Sequence, residues 1–240
     1  MKPPHLNTLL AEYNQIHTFD EKLIFLQNHI RKYVYFNSPY VDFIVELYLI
    51  LANLLLQRGW YEECIEACSR ALDFDKDNPE SMEIIQHCKN IEVYYHQAQK
   101  YHQMHFYRKE IECYEQILKI SPEDSNAWFN SGNCYLLEYQ YGKAIECYEN
   151  AIQIDPLDEQ AWFNLAYSYE KYNLPEQAID AYTRLLSINP QHERAWLNRG
   201  HIYFMTGNLP QAQNDYLNAY RLGEEEALYL LSEIQKKIKY

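Results

Sequence analysis

The most constraining feature of this 240-residue chain is a pattern that repeats every 34 residues. Three tryptophans mark it, and the segments around them read AWFNSGNCY, AWFNLAYSY and AWLNRGHIY. After each tryptophan a tyrosine follows at seven residues, an alanine at sixteen and a second tyrosine at twenty. These positions are Trp128, Trp162 and Trp196; Tyr135, Tyr169 and Tyr203; Ala144, Ala178 and Ala212; Tyr148, Tyr182 and Tyr216. Such a chain folds as a series of similar units, not as one unrepeated core.

Each unit predicts two helices that pack side by side. Trp128, Gly132 and Tyr135 are spaced i, i+4 and i+7, so they share one face of a first helix. Ala144 and Tyr148 are likewise four residues apart on a second helix. The small side chains at 132 and 144 allow the two helices to approach closely, with the aromatic rings beside them. We therefore expect an all-α chain of antiparallel helix pairs in which each pair covers the next.

Proline also recurs at the same spacing, at Pro122, Pro156 and Pro190. Each follows a residue that commonly caps a helix, namely Ser121, Asp155 and Asn189. Because proline is favoured at the first position of a helix, the sequence predicts that first helices begin at these prolines. Two second helices are predicted to begin similarly, at Pro175 and Pro210.

The recurring residues resemble the signature of the tetratricopeptide repeat (TPR) family. That signature has Trp, a small residue four on, Tyr seven on, Ala sixteen on, an aromatic twenty on and Pro twenty-eight on. The resemblance covers 125–158, 159–192 and 193–226, although Glu224 replaces the proline of the third unit. It implies a right-handed α-solenoid, the TPR superhelix, and a protein that binds partners without catalysis along a concave groove formed by first helices.

The remaining segments are predicted to be helical as well. Residues 1–44 form an N-terminal helical cap, with helices at roughly Leu6–His17 and Asp20–Tyr35. Residues 45–90 form a degenerate TPR-like helix pair followed by an extended linker helix, which runs from about Glu80 to Gln103. Residues 91–124 are a degenerate TPR in which Glu110 replaces the small alanine. Residues 227–240 form a C-terminal capping helix that ends the stack.

Composition argues against nucleic acid and against a membrane. The chain has 21 basic and 34 acidic residues, a net charge of −13, whereas phosphate contacts depend on Lys and Arg. The most apolar stretch, Val41 to Leu56, contains Asp42, Glu46 and Asn53, which favours a buried helix over a membrane span. The N-terminal residues lack the apolar core of a secretory signal, so we expect a cytoplasmic protein with reduced cysteines.

No catalytic, metal or cofactor site is expected. Six glycines are few, and no phosphate-binding loop, nucleophile elbow or zinc-protease motif occurs. Cys64 and Cys68 lie at core positions of a helix, which favours buried free thiols over metal ligands. His96, His102 and His105 cluster in sequence, but their spacing does not match a helical metal pair. We therefore expect a protein that is not an enzyme.

The resemblance places candidate binding residues on the first helices. An asparagine stands two residues after each tryptophan, and side-chain amides can both donate to and accept from a peptide backbone. The candidate peptide- or partner-binding residues are Asn130, Asn164 and Asn198; Phe129, Phe163 and Leu197; Asn133, Tyr167 and His201; Phe204; and Asn126, Gln160 and Arg194. Exposed Phe129, Phe163 and Phe204 would form an apolar strip of the kind that marks an interaction surface.

Alternatives to this interpretation stay open. The asparagines could be ordinary repeat residues that bridge neighbouring helices. The groove could be occupied by the N-terminal helices, giving a structural, self-associating scaffold and a possible homo-oligomer. Acidic chaperone C-terminal tails are not expected as ligands. Asn133 and Asn164 match the clamp that holds such tails and Arg194 could supply one cation, but Phe129 and Asn198 occupy the other basic places.

The sequence thus predicts a non-catalytic module, an adaptor, chaperone or assembly factor. It would bind an extended peptide or a partner helix, with the asparagines holding the backbone and the aromatic residues selecting apolar side chains.

Overall fold

The computed structural model of the chain describes residues 6–34 and 40–238, with side chains up to Lys236. Within these ranges every regular element is an α-helix, and there are thirteen of them. The chain divides into two compact units, the first ending at Asp124 and the second beginning at Ser125. The predicted all-α fold is therefore confirmed.

The first unit contains six helices. They are α1 (Leu6–Asn14), α2 (Phe19–Tyr33), α3 (Val41–Gln57), α4 (Tyr61–Phe74), α5 (Pro79–Gln103) and α6 (Tyr107–Ile120). α3 packs against α4 and α5 against α6, while α2 lies along α3 and α4 along α5. The sequence predicts a long helix from about Glu80, and α5 begins one residue earlier. α1 ends three residues before the predicted His17, and the predicted end of α2 at Tyr35 lies outside the described residues.

The second unit contains seven helices. They are α7 (Ser125–Leu137), α8 (Tyr141–Ile154), α9 (Glu159–Lys171), α10 (Pro175–Ile188), α11 (Glu193–Met205), α12 (Leu209–Arg221) and α13 (Glu226–Ile238). Within each 34-residue repeat the two helices form a hairpin, and the second helix also packs against the first helix of the next repeat. α13 packs against α12, where the sequence predicts a closing helix.

The repeated small residues make room for the repeated tyrosines. Tyr148, Tyr182 and Tyr216 are fully buried. A Cβ atom added to Gly132 would lie 2.7 Å from the Tyr148 ring, and one added to Gly200 would lie 2.9 Å from the Tyr216 ring. The close helix approach that the sequence predicts therefore places each ring directly against the backbone of its partner helix.

The predicted helix starts at proline are wrong for the first helices. α9 and α11 begin three residues after the prolines, at Glu159 and Glu193. Their N-caps are Asp158, which accepts from the backbone N–H groups of Gln160 and Ala161, and His192, which accepts from that of Ala195.

The prolines have a different role. Asp155 and Asn189 are the C-caps of the preceding helices, so the prolines lie in the turns between helices. There the carbonyls of Pro156 and Pro190 accept hydrogen bonds from the indoles of Trp162 and Trp196, at 3.0 and 2.9 Å. For α10, by contrast, the prediction is correct, because that helix begins at Pro175. α12 begins at Leu209, one residue before Pro210.

Two buried carboxylates stabilise the first unit. Asp124, which is 1% exposed, accepts hydrogen bonds from the hydroxyls of Tyr61 on α4 and Tyr95 on α5. Glu110, which replaces the small alanine of the repeat, is 3% exposed and accepts from Tyr114. The Nδ1 atom of His102 lies 3.1 Å from the Glu110 carboxylate. At Glu110 a polar network thus replaces the close apolar packing that the small alanine gives in the other repeats.

All six cysteines are buried and free. The Sγ atoms of Cys64 and Cys88 lie 3.6 Å apart between α4 and α5. Among the described residues no group of three or more His, Cys, Asp or Glu side chains is arranged to hold a metal ion. A search of the same residues for a helix long and apolar enough to cross a membrane also finds none.

Candidate functional site

The thirteen candidate residues all lie on the first helices of the second unit. α7 carries Asn126, Phe129, Asn130 and Asn133; α9 carries Gln160, Phe163, Asn164 and Tyr167; α11 carries Arg194, Leu197, Asn198, His201 and Phe204. We call this set the first-helix face. Asn126, Gln160, Arg194 and His201 are exposed, and the other nine are half-buried.

A hydrogen-bond network joins the face of α7 to that of α9. The buried ring of Tyr148 on α8 packs against Phe129, with centroids 5.9 Å apart, and its hydroxyl donates to Asn133 Oδ1 at 2.8 Å. The same Oδ1 atom accepts from Asn164 Nδ2 at 2.9 Å. Asn164 therefore bridges two successive repeats. Burial raises the pKa of Tyr148 above its ordinary value, which keeps its hydroxyl protonated as a donor.

A related network joins α9 to α11. The buried Tyr182 of α10 packs edge-on against Phe163, with centroids 5.8 Å apart. Its hydroxyl accepts from Asn198 Nδ2 at 3.1 Å. Burial raises the pKa of Tyr182 as well. Tyr167, not asparagine, occupies the place of Asn133 in this repeat, so Asn198 contacts the tyrosine directly.

The three asparagines therefore differ in how much hydrogen-bonding capacity they keep. Asn164 and Asn198 each use one amide N–H group inside the unit, and their Oδ1 atoms accept no hydrogen bond from the described residues. The half-buried side chain of Asn130 makes no hydrogen bond to any described residue. The three asparagines thus occupy equivalent positions on α7, α9 and α11, and two of them also bridge helices.

The aromatic strip is less exposed than the sequence predicts. Phe129 and Phe163 are half-buried because their rings pack against the core of the unit, and Phe204 is half-buried against the core around Tyr216. Phe163 is stacked on His192 with centroids 5.2 Å apart, and the guanidinium of Arg194 lies 5.4 Å from the same ring. The three rings are therefore half-buried, where the sequence analysis expects them to be exposed.

Among Lys, Arg, Asp and Glu, the first-helix face contains only Arg194. Lys171, at the end of α9, lies 3.0 Å from Glu170 and 4.8 Å from the Tyr167 ring centroid. The hydrogen bond to Glu170 raises the pKa of Lys171. Arg194 is engaged above Phe163. The face therefore offers neutral amides and half-exposed rings in place of a cluster of uncompensated cations.

Sequence reasoning missed the tyrosine hydroxyls that organise this face. The repeat spacing predicts Tyr148 and Tyr182 only as packing residues of the second helices. The repeat retains Tyr at that position in all three units, although Phe would fill the same space. A hydroxyl that recurs at a buried position favours a hydrogen bond there, and two of the three, Tyr148 and Tyr182, make one.

Comparisons with known proteins bear directly on the family. A tetratricopeptide repeat model matches residues 125–157 and 159–192, and a second tetratricopeptide repeat model matches residues 45–78. The chain is a tetratricopeptide repeat protein. The second of these models extends the assignment to α3 and α4, where the sequence analysis finds a degenerate repeat.

Solved TPR structures have the same fold. A crystal structure of MamA superposes with a TM-score of 0.54 at 20% identity, covering 75% of this chain and 98% of that one. MamA from Desulfovibrio magneticus RS-1 gives 0.51 at 19% identity, with 74% and 94% coverage. YrrB, a TPR protein with an unusual peptide-binding site, gives 0.53 at 19% identity, with 78% and 90% coverage. A comparison with curated proteins gives no significant match.

Proposed function

We propose that this TPR protein is a non-catalytic protein-interaction module, and that its first-helix face binds an extended peptide. The observation that carries the proposal is the unused hydrogen-bonding capacity of the asparagines. Asn130 keeps its whole amide, and Asn164 and Asn198 keep their Oδ1 atoms. The similarity to YrrB, whose TPR fold has a peptide-binding site, supports this choice. An adaptor, a chaperone or an assembly factor would use such a face.

The face suits a peptide backbone better than a charged ligand. Amide oxygens accept from backbone N–H groups whatever the side chains of the peptide are, so they hold the chain without selecting its sequence. Selection then falls to the half-exposed rings of Phe129 and Phe163, which can pack against apolar side chains. An acidic tail would find Phe129 and Asn198 where a carboxylate clamp has cations, and Lys171 paired with Glu170, so it would be poorly held.

The cysteines fit a reducing compartment. All six are buried free thiols, which favours the cytoplasm as the place where the protein works.

The sharpest test of this proposal replaces Asn130. Random peptides displayed on phage are enriched on the wild-type chain, and the dissociation constants of the best binders are measured by isothermal titration calorimetry. Asn130→Ala removes an amide without breaking any internal hydrogen bond, so we expect intact helical circular dichroism and about tenfold weaker binding. Changing Asn164 or Asn198 is less informative, because each change also removes a bridge inside the unit.

A matched control is available on a second helix. Asn214 is an exposed asparagine of α12, outside the first-helix face. Asn214→Ala should leave the dissociation constants unchanged. If Asn130→Ala binds the enriched peptides as tightly as wild type while remaining folded, the proposed backbone contact is wrong.

A further inference from the structure

A pocket of about 280 Å³ in the first unit lies among α2, α3 and α4. Its apolar lining comes from all three helices and consists of Leu23, Leu51, Leu55 and Ala67. Tyr48 and Trp60 add aromatic walls, and Trp60 is 42% exposed. The volume and lining suit one large apolar side chain, since ligand sites are concave and mostly apolar with few polar groups.

Two of the residues that line the pocket are smaller than the aromatic residues at the same positions of the later repeats. In residues 45–78, Tyr48 stands at the tryptophan position and Leu55 at the tyrosine position seven residues later. In the repeat of residues 159–192 these positions are Trp162 and Tyr169, and both side chains pack against the core. The Tyr169 hydroxyl also donates to Glu149 on the preceding helix, α8.

The equivalent space next to α2 is therefore open. Folded interiors are closely packed, and a void next to apolar side chains forfeits their van der Waals contacts. An aromatic side chain from outside the chain would restore the contacts that the later repeats make internally.

The charge around the pocket defines its occupant further. Arg70 is shared between Glu66 and Asp73, at 3.7 and 3.8 Å. Glu63 also lines the pocket, and among the described residues no basic side chain lies within ion-pair distance of it. The rim thus carries an uncompensated carboxylate beside an exposed tryptophan, an arrangement that attracts a cation.

We propose that this pocket is a second partner-binding site, which holds one aromatic side chain of a partner protein with a Lys or Arg next to it in the partner sequence. The aromatic ring lies against Leu51, Leu55 and Ala67, and the cation pairs with Glu63. The site is separate from the first-helix face and does not depend on the function proposed for that face.

Three short peptides test this inference on the full chain. The probes are acetylated and amidated Lys-Trp-Lys, Glu-Trp-Glu and Lys-Ala-Lys, which separate the contribution of the ring from that of the charge. Binding is followed by NMR on methyl-labelled protein. We expect Lys-Trp-Lys to shift the methyl resonances of Leu51, Leu55 and Ala67, and to bind at least tenfold more tightly than either of the other peptides.

Two variants check the location. Tyr48→Trp with Leu55→Tyr fills the pocket with the residues that later repeats use, so binding of Lys-Trp-Lys should be lost while the helical circular dichroism is retained. Glu63→Gln leaves the cavity open but removes the charge. It should reduce the preference for Lys-Trp-Lys over Glu-Trp-Glu, measured as the ratio of their dissociation constants, at least fivefold. Glu115→Gln, an exposed glutamate on α6, is the matched control and should change nothing.

Three results would overturn the inference. Equal binding of Lys-Trp-Lys and Glu-Trp-Glu would exclude the role of Glu63. If the filled variant binds Lys-Trp-Lys as tightly as wild type, the peptide binds elsewhere. If the filled variant does not fold, unchanged binding by the Glu63→Gln variant leads to the same conclusion. A wild-type dimer in sedimentation that becomes a monomer in the filled variant would make a second copy of this chain the occupant.

Discussion

At the scale of single residues, the same tyrosine of the repeat has three different hydrogen-bonding environments. The rings of Tyr148, Tyr182 and Tyr216 are all fully buried. The hydroxyl of Tyr148 donates to Asn133, and that of Tyr182 accepts from Asn198. The hydroxyl of Tyr216 is buried and has no hydrogen-bond partner among the described residues.

The sequence explains why the third hydroxyl lacks a partner. The asparagine two residues after each tryptophan would recur 34 residues after Asn198, and the residue there is Ser232. The Ser232 hydroxyl donates instead to the Tyr229 carbonyl of its own helix. Burial raises the pKa of Tyr216 to about 12, so the hydroxyl stays protonated. Because this hydroxyl makes no hydrogen bond to the described residues, the cost of its desolvation is not offset.

A Tyr→Phe series tests this difference. Tyr148→Phe removes a hydrogen bond from the Asn133 amide, and Tyr182→Phe removes one from the Asn198 amide. We expect each change to lower the free energy of unfolding by about 1 kcal/mol. Tyr216→Phe removes only an unpartnered hydroxyl, and should be neutral or stabilising. Urea unfolding followed by circular dichroism measures all three. A loss for Tyr216→Phe as large as for the other two would show that its hydroxyl is satisfied.

At the scale of helices, the third tryptophan repeat replaces apolar packing by a buried ion pair. Arg199 on α11 binds both carboxylate oxygens of Asp215 on α12, at 2.7 and 2.9 Å, and also donates to Thr183 on α10. The side chains are 12% and 2% exposed. In the preceding repeat the same two positions are Leu165 and Ala181, both buried.

This internal comparison supplies a double-mutant test. Asp215→Ala leaves the Arg199 charge buried without its partner, so we expect a loss of about 3 kcal/mol in the free energy of unfolding. Arg199→Leu with Asp215→Ala installs the residues of the preceding repeat, and should cost less than about 1 kcal/mol because an apolar pair can replace a buried ion pair. Thermal and urea unfolding measure both variants. The idea fails if the double variant is as unstable as Asp215→Ala.

Helices and their repeat positions could be predicted from the sequence, but hydrogen-bond geometry could not. The 34-residue spacing determines which side chains face the partner helix, so the burial of Tyr148 and the need for Gly132 follow from it. Helix starts depend on which of several polar residues caps the helix, and Asp155 and Asp158 are both suitable. Only the structure shows that Asp155 is the C-cap of α8 and Asp158 the N-cap of α9.

The candidate site was predictable to the same extent. Repeat spacing places Asn130, Asn164 and Asn198 at equivalent positions on α7, α9 and α11. The exposure of Phe129 and Phe163 is lower than expected, because a tyrosine from the second helix packs against each ring. That is a question of side-chain reach across helices, which spacing along the sequence does not contain.

At the scale of the whole molecule, the two functions considered for the chain differ in the role of the N-terminal helices. They are a cap in a binding module and the occupant of the groove in a self-occluded scaffold. α3 is apolar on almost all sides, and nine of its 17 residues are buried. α2 covers one of these sides, with Leu26 and Ile30 buried and Tyr33 packed edge-on against Phe43 at 5.2 Å. Within the first unit α2 thus covers an apolar side of α3, which is what the predicted cap requires.

Deleting residues 1–39 distinguishes the two functions. If α1 and α2 serve as a cap, the deletion exposes α3, and amide protons of α3 and α4 should lose protection in hydrogen exchange before those of α7 to α12, because each repeat depends on its neighbours. Peptides selected on the wild-type chain should keep their dissociation constants, since the first-helix face is built from α7, α9 and α11 alone. Leu26→Ala in the full-length chain, which loosens α2 without removing it, should give a milder form of the same protection pattern.

Self-occlusion requires the opposite result. A segment of the chain that occupies the groove lowers the apparent affinity for peptide, because only the unoccupied fraction of molecules can bind. The deletion would then tighten peptide binding at least tenfold, or dissociate an oligomer.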